Sequence, residues 1–284
     1  MGLRKAVFAG SWYPGEEADC AGEIEQFLRH GIPLPESHPV WVGGIVPHAG
    51  WYYSGQIACN VIHWLKEETP PDVVVVFGMH LHGGSSNYIM PGGAWETPFG
   101  AMPVAGELAD HLLERFPFQK ESVSRFVQDN TVELQLPFIK YLLNPKEILA
   151  IGAAPNSQAL KIGQTVADWA RDNGKRLKVI GSTDLTHYGR NYGFSPKGTG
   201  PRALDWVRNE SDRRMIKAIL DMEPRNVMDE GLRNQNACCS GAVAAAVAAV
   251  RQMGASVSKE LAYATSYDKS PGDSFVGYVG VVFG

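Results

Sequence analysis

The chain has 284 residues, 44% of them apolar and 20% charged, with a formal net charge of −4. That balance belongs to a globular protein with a substantial core, since roughly 75% of the unfolded surface is buried on folding at about this length. The mild negative charge, with no block of like charges, argues against a nucleic-acid partner and against an anionic membrane surface.

Residues 16–30 read as a first helix, closed by Gly31 and Pro33. A strand over 40–46 follows. Ser54 is then placed to cap a helical pattern running to Lys66, with Ile57, Val61, Ile62 and Leu65 on one face. Pro70-Pro71 breaks it, and the β-branched run 73–77 predicts a strand buried on both faces. Residues 83–93 are loop-rich around a short strand at 88–90. Helices are expected over 104–116 and 132–143, the second bent or shortened by Pro137. A strand over 148–153 leads to a helix over 159–173, ended by Gly174, and to a strand over 177–180. The Gly-rich stretch 188–201 is irregular, and helices are expected from about 205 to 232. A small-residue helix over 238–253 and strands over 261–266 and 276–283 close the chain. Strands alternate with helices, which predicts an α/β fold: one domain over 1–284, a mixed sheet flanked by helices.

The first residues carry no sustained apolar stretch, and the most apolar later run, 242–250, is too short to span a bilayer. The expectation is a cytoplasmic protein that uses no membrane. Four cysteines in a chain of this length are no disulfide framework, and without a CxxC pair no structural zinc knuckle is expected. Cys20 and Cys59 fall inside helical patterns and read as small buried hydrophobes.

Four short islands carry chemistry. Three follow apolar runs: Pro47-His48-Ala49-Gly50, then Gly78-Met79-His80-Leu81-His82, then Ser182-Thr183-Asp184-Leu185-Thr186-His187. Strands of an open α/β sheet deliver such residues to one edge, where ligands collect. His80 and His82 face the same side if the segment is extended. Asp184 and His187 share a face if they begin a helix, and a carboxylate beside an imidazole sets its tautomer and basicity. The fourth island, Asn236-Ala237-Cys238-Cys239-Ser240-Gly241, opens a helix. Adjacent helical residues point apart, so one ion takes one of the two sulfurs. Each island also has an ordinary reading: a turn histidine, exposed loop histidines, an N-cap aspartate, a helix start built of small residues. Together they offer imidazoles, a carboxylate and a thiolate, a donor set suited to iron, copper or zinc rather than magnesium or calcium.

These islands sit in a longer ordered set. It includes Ala9-Gly10-Ser11-Trp12-Tyr13-Pro14, Val46-Pro47-His48-Ala49-Gly50-Trp51 and Trp95-Glu96-Thr97-Pro98-Phe99-Gly100. Val132-Glu133-Leu134-Gln135-Leu136-Pro137-Phe138, Ser182 to Gly189, Asn236 to Cys239 and Tyr263-Ala264-Thr265-Ser266 continue it. The set resembles the Memo family, whose prokaryotic members are described as protein B of the AmmeMemoRadiSam system. The resemblance implies a fold similar to class III extradiol dioxygenases and a pocket with two histidines and a cysteine as ligands of iron or copper, with zinc as a third candidate. Carried onto this chain, the ligands are His48, His80 and Cys239, because Cys239 stands three residues after Asn236. His82 is an alternative match for the second ligand and otherwise a neighbouring or substrate contact, and His187 with Asp184 forms the catalytic acid/base pair; the rotation between adjacent helical residues turns Cys238 into packing. Three positions depart from the family pattern: His80 comes one residue early, Asn130 stands where a histidine is frequent, and Ser240 replaces a glycine. The resemblance further implies a redox enzyme with a small molecule or peptide in the metal pocket, and radical SAM and AMMECR-type proteins as functional partners. A non-enzymatic iron- or copper-binding or peptide-docking module is the alternative, and hydrolysis by a zinc-bound water a third reading.

Overall fold

The apolar runs form the centre of a mixed sheet. The computed structural model describes residues 2–284. Its strands in chain order are β1 (Leu3–Arg4), β2 (Gly43–Val46), β3 (Val73–Gly78), β4 (Asn87–Ile89), β5 (Ala94–Trp95) and β6 (Met102–Pro103). They continue with β7 (Phe118–Lys120), β8 (Glu147–Gly152), β9 (Leu177–Ser182), β10 (His187–Tyr188), β11 (Ser258–Thr265) and β12 (Phe275–Phe283). Nine of them build one sheet in the order β10-β12-β2-β9-β3-β8-β4-β7, with β11 on the outer side of β12; β1, β5 and β6 form a separate small sheet. The four central strands β2, β9, β3 and β8 are mutually parallel, while β12 and β4 run antiparallel on either side.

Helices cover both faces, which is why β3 and β9 are buried at every position and β3 reads as an apolar run rather than an alternation. Helix Trp51–Trp64 packs on β2 and β12, and helix Ser240–Gln252 packs on β2, β9 and β3 from the opposite side with helix Ser157–Asp172 behind it. The start of helix Ser240–Gln252 lies against the chain leaving β8. A Cβ at Gly241 would stand 2.4 Å from the Ala153 carbonyl oxygen, so only glycine permits that approach.

Several boundaries differ from the sequence reading, each for a local reason. Ser54 is no cap: the helix begins at Trp51, and the Ser54 hydroxyl donates back to the Ala49 carbonyl from within the first turn. Pro137 does not bend a helix but opens one. The expected helix over 132–143 is two pieces, Asn130–Glu133 and Leu136–Leu142, with proline in the first turn of the second, where its missing N–H costs nothing. Residues 184–187 are not a helical turn, since His187 and Tyr188 pair as a strand with Val276 and Phe275. The last long helix starts at Ser240, two residues later than expected. No described helix is long and apolar enough to cross a membrane.

Candidate metal centre

Parallel neighbours β2, β9 and β3 end at one edge of the sheet. Two residues beyond each end stand His48, Asp184 and His80. The sulfurs of Cys238 and Cys239 arrive from the segment before helix Ser240–Gln252. The donor atoms of His48, His80, Cys238 and Cys239 all lie within 4.8 Å of one another.

His48 is buried, and its orientation is fixed from three sides. Its backbone N–H donates to Asp184 Oδ1 at 2.8 Å, and its carbonyl accepts from Asn130 Nδ2 at 2.8 Å. Ring Nδ1 lies 3.0 Å from Ser182 Oγ, whose single hydroxyl hydrogen goes to the Thr131 carbonyl at 2.7 Å. Ser182 therefore accepts from His48, and Nδ1 carries the proton. When the imidazole is neutral, the lone pair sits on Nε2, which points at Cys238 Sγ 3.2 Å away. Burial works against protonation of this ring, but the Asp184 carboxylate and the Cys238 sulfur outweigh it and hold the pKa above the ordinary imidazole value.

His80 follows Met79, a non-glycine residue in the left-handed region at φ 75°. That turn is held by the Met79 N–H donating to Thr131 Oγ1 at 2.7 Å. It aims His80 at His48, ring centroids 5.0 Å apart and edge to face. Asp129 stands behind His80: Oδ2 accepts from the His80 backbone N–H at 3.2 Å and lies 3.0 Å from ring Nδ1. Its other oxygen caps helix Asn130–Glu133 through the Thr131 N–H. A carboxylate on the far nitrogen of an imidazole is the usual support of a metal-binding histidine. Burial opposes the charged form of His80, yet Asp129 and Cys238 bring its pKa up to about 10. The same pairing, against the cost of burial, holds Asp129 down at about 2.

Both cysteines face the site. Because the helix begins only at Ser240, the geometry that would turn adjacent residues apart does not apply, and Cys239 has non-helical φ −128°, ψ 51°. Their sulfurs lie 3.7 Å apart. The backbone of the pair is clamped to the end of β9: Cys238 N–H donates to the Asp184 carbonyl and Cys239 N–H to Thr183 Oγ1. Cys238 Sγ in turn accepts from the Asp184 backbone N–H at 3.3 Å. Burial disfavours a Cys238 thiolate, but the Cys239 thiol together with His48 and His187 takes its pKa well below the ordinary thiol value. Burial and the neighbouring sulfur push the Cys239 thiol up. The expectation that Cys238 would be mere packing is thus corrected: it is the sulfur in contact with His48, while Cys239 lies in the same donor group.

His187 Nε2 lies 3.8 Å from Asp184 Oδ2, too long for a hydrogen bond, and is buried with no hydrogen-bond partner. Its ring leans on Tyr192 at 4.9 Å. Burial again opposes protonation, while Asp184 and Cys238 raise the pKa to about 10. The pair forms part of a wall between two clefts. One, of about 570 Å³, is lined by His48, His80, Asp184 and His187 beneath Tyr52, Tyr53 and Tyr278. The other, of about 580 Å³, exposes Cys238 on the opposite side of His187 and Tyr192, with His82 on its rim. His80 and His82 therefore do not share a side: the turn at Met79 sends them to different clefts.

The family model described as "Memo-like protein" matches residues 4–282. The chain belongs to the Memo family. Similar proteins include a MEMO1 family protein of Pyrococcus furiosus, 30% identical over 99% of this chain and 98% of that one. Another, from Thermococcus kodakarensis, is 31% identical over 99% of both chains. Among solved structures, an uncharacterized protein of Escherichia coli K12 aligns with TM-score 0.54 and 15% identity, covering 85% of this chain and 99% of that one, a likeness of fold alone. The mixed sheet flanked by helices is consistent with a Memo and extradiol-dioxygenase-like architecture.

The Memo motifs outside the donor group turn out to be its scaffold. Gln135 Nε2 donates to the Pro47 carbonyl at 2.9 Å, and Trp51 Nε1 to the Leu134 carbonyl at 3.0 Å. Glu133 accepts from the Phe8 N–H and the Tyr13 hydroxyl, tying the first motif to the fourth. Asp129 and Tyr192 were not singled out from the sequence, and Ser182 stood in its island without a role of its own. Only Asp129 carried a local signal, an Asp two residues ahead of Thr131 at a helix start, which reads as a cap and nothing more.

Proposed function

We propose that this Memo-family chain is a metal-dependent redox protein of the AmmeMemoRadiSam system, holding iron or copper, with zinc as a third candidate, through His48, His80 and Cys239, joined by Cys238. The observation that carries the reading is the convergence of two imidazoles and two sulfurs within 4.8 Å, with the free lone pair of His48 directed inward. The donor chemistry fits such a metal: nitrogen and sulfur donors suit borderline and soft ions. The orphaned Nε2 of His187 marks a further polar position facing the same group.

When bound, the metal would supply Lewis acidity and, for iron or copper, one-electron chemistry. The protein's own contribution is the placement of protons. His187, held charged by Asp184, is the group positioned to give a proton to a ligand in the cleft of about 570 Å³ and to take it back. Tyr52, Tyr53 and Tyr278 line that cleft with rings and hydroxyls, which suits a small organic molecule or peptide side chain. Asp184 also anchors the His48 backbone, so it couples the position of the proton donor to that of a metal donor. A cytoplasmic location, with radical SAM and AMMECR-type proteins as functional partners, belongs to the same reading.

A second reading, a non-enzymatic metal carrier, is favoured by one feature: two nitrogens and two sulfurs are enough to close a four-coordinate site. Metal analysis of anaerobically purified protein tests the shared claim. One transition metal per chain is expected, lost in His48→Ala; full occupancy in both His48→Ala and Cys239→Ser rejects the site. Turnover by the metal-loaded protein, in a screen of small phenols and peptides, separates enzyme from carrier.

A further inference from the structure

We infer that Cys238 and Cys239 form a redox-active vicinal dithiol, oxidised by a hydroperoxide to a disulfide between neighbouring residues, and that this oxidation withdraws sulfur from the donor group. The second clause rests on the metal-binding reading above; the first does not.

The sulfurs are 3.7 Å apart, whereas a disulfide needs about 2.05 Å, so they must close by about 1.7 Å. Rotation about the side-chain bonds can supply that, because the pair precedes the helix and both side chains already face one point. Access is asymmetric. Cys238 lines the cleft of about 580 Å³, while Cys239 is only 2% exposed. A small oxidant therefore reaches Cys238 first, and reaches it without entering the tyrosine-lined cleft. Cys20 and Cys59 are fully buried and lie outside both clefts, so they are spectators.

The chemistry balances in two steps. Cys238 sulfur attacks one peroxide oxygen; the S–O bond forms, the O–O bond breaks, and the departing oxygen leaves as water (or alcohol) by taking up the proton that the Cys238 thiol gave up on ionising. Cys239 sulfur then attacks Cys238 sulfur; the S–S bond forms, the S–O bond breaks, and the second thiol proton leaves in a second water. The peroxide gains the two electrons that the dithiol loses. Adjacent Cα atoms are about 3.8 Å apart, below the usual range of about 4.4–6.8 Å across a disulfide, so the product is strained and readily reduced by thiols. The device is reversible for that reason, and stepwise overoxidation is blocked as long as Cys239 is present to capture the sulfenic acid.

The test uses the purified full-length chain, stripped of metal by a chelator and treated with one equivalent of hydrogen peroxide. Trypsin releases residues 234–251 as one peptide containing both cysteines and no other. Expected is loss of two hydrogens from that peptide, loss of two of the four titratable thiols, and recovery of both by dithiothreitol. Cys239→Ser should instead trap a sulfenic acid on Cys238, detectable as a dimedone adduct. Sulfinic acid on wild-type Cys238, intermolecular disulfides, or an unmodified peptide would each overturn the dithiol. A separate titration with cobalt(II) alone reads the second clause: the oxidised chain should bind at least about tenfold more weakly than the reduced one. Disulfide formation with undiminished cobalt binding would overturn that clause and the sulfur ligands of the proposed metal centre, and leave the dithiol standing.

Discussion

Metal binding by this chain should release a proton from His80 at a pH where an ordinary histidine has none to give. The perturbation is Asp129→Asn, which removes the negative charge 3.0 Å from the His80 ring but keeps an oxygen to cap helix Asn130–Glu133. With a pKa of about 10, His80 is essentially fully protonated at pH 7.5 in the metal-free chain. The His80 side chain is 42% exposed, so solvent screening trims the shift. Even half the shift leaves the ring about 85% protonated at pH 7.5, against about 10% for an unperturbed imidazole. A metal that takes the ring nitrogen must displace that proton. The wild type should therefore release more protons per metal than Asp129→Asn at pH 7.5, up to about one and short of it by what Cys238 alone still holds on His80, and the difference should vanish as pH rises past about 10. The assay is calorimetric titration with zinc in buffers of different ionisation enthalpy, where the slope of observed heat against buffer enthalpy counts protons. Equal proton counts in the two proteins would refute the argument, because His80 would then be either unprotonated in the free chain or not a ligand.

Three further expectations follow from the same contacts. His187→Ala should leave metal occupancy intact and abolish turnover, with Asp184→Asn less severe; loss of metal in His187→Ala, read by metal analysis, would make His187 a ligand. The His80–Asp129 pair should stabilise the metal-free fold fully only between about pH 4 and 6.5, fading as pH rises through about 10 (His80, raised) and as it falls through about 2 (Asp129, lowered). Asp129→Asn should cost about 1 kcal/mol in that window and Asp129→Ala about 1 kcal/mol more through the lost cap, measured by urea unfolding across pH. Gly241→Ala should destabilise the chain by about 1–3 kcal/mol, since the new methyl would meet the Ala153 carbonyl oxygen at 2.4 Å; an unchanged unfolding midpoint would show that the helix start can shift freely.

The central strands were legible because burial on both faces leaves mostly apolar runs, unbroken in β3, and the residues just past them were legible because chain direction alone places them at one edge. Two-residue strands such as β5 and β6 carry too little sequence to show a period. The split at Gln135 was hidden because a proline inside a helical pattern and a proline opening a new helix look alike in sequence. The misreading of Cys238 has one cause: a helix start placed two residues early imposed a rotation on a pair that the structure keeps in non-helical backbone. Asp129 was invisible for a different reason. Its role depends on His80, 49 residues away, and on a left-handed turn at Met79 that no local preference announces.

Residues 182–184 touch the segments that bring His48 and the two cysteines, and reach Thr131, which holds the turn ahead of His80. Ser182 sets the His48 tautomer and reaches the Thr131 carbonyl, Thr183 receives the Cys239 N–H, and Asp184 holds His48 and Cys238. The end of β9 is therefore the keystone of the centre, although this stretch contributes none of the four converging donors. Transplanting only the two histidines and two cysteines onto another parallel sheet would carry over the atoms that bind and leave behind the frame that aims them. A one-residue slip of β9 would reverse the face of Ser182 and displace the two residues after it, and with them the hold on His48 and both cysteines. Loops at the opposite edge of the sheet bring none of these donors; there Asp72, Arg176 and Lys146 tie the strand starts to one another instead.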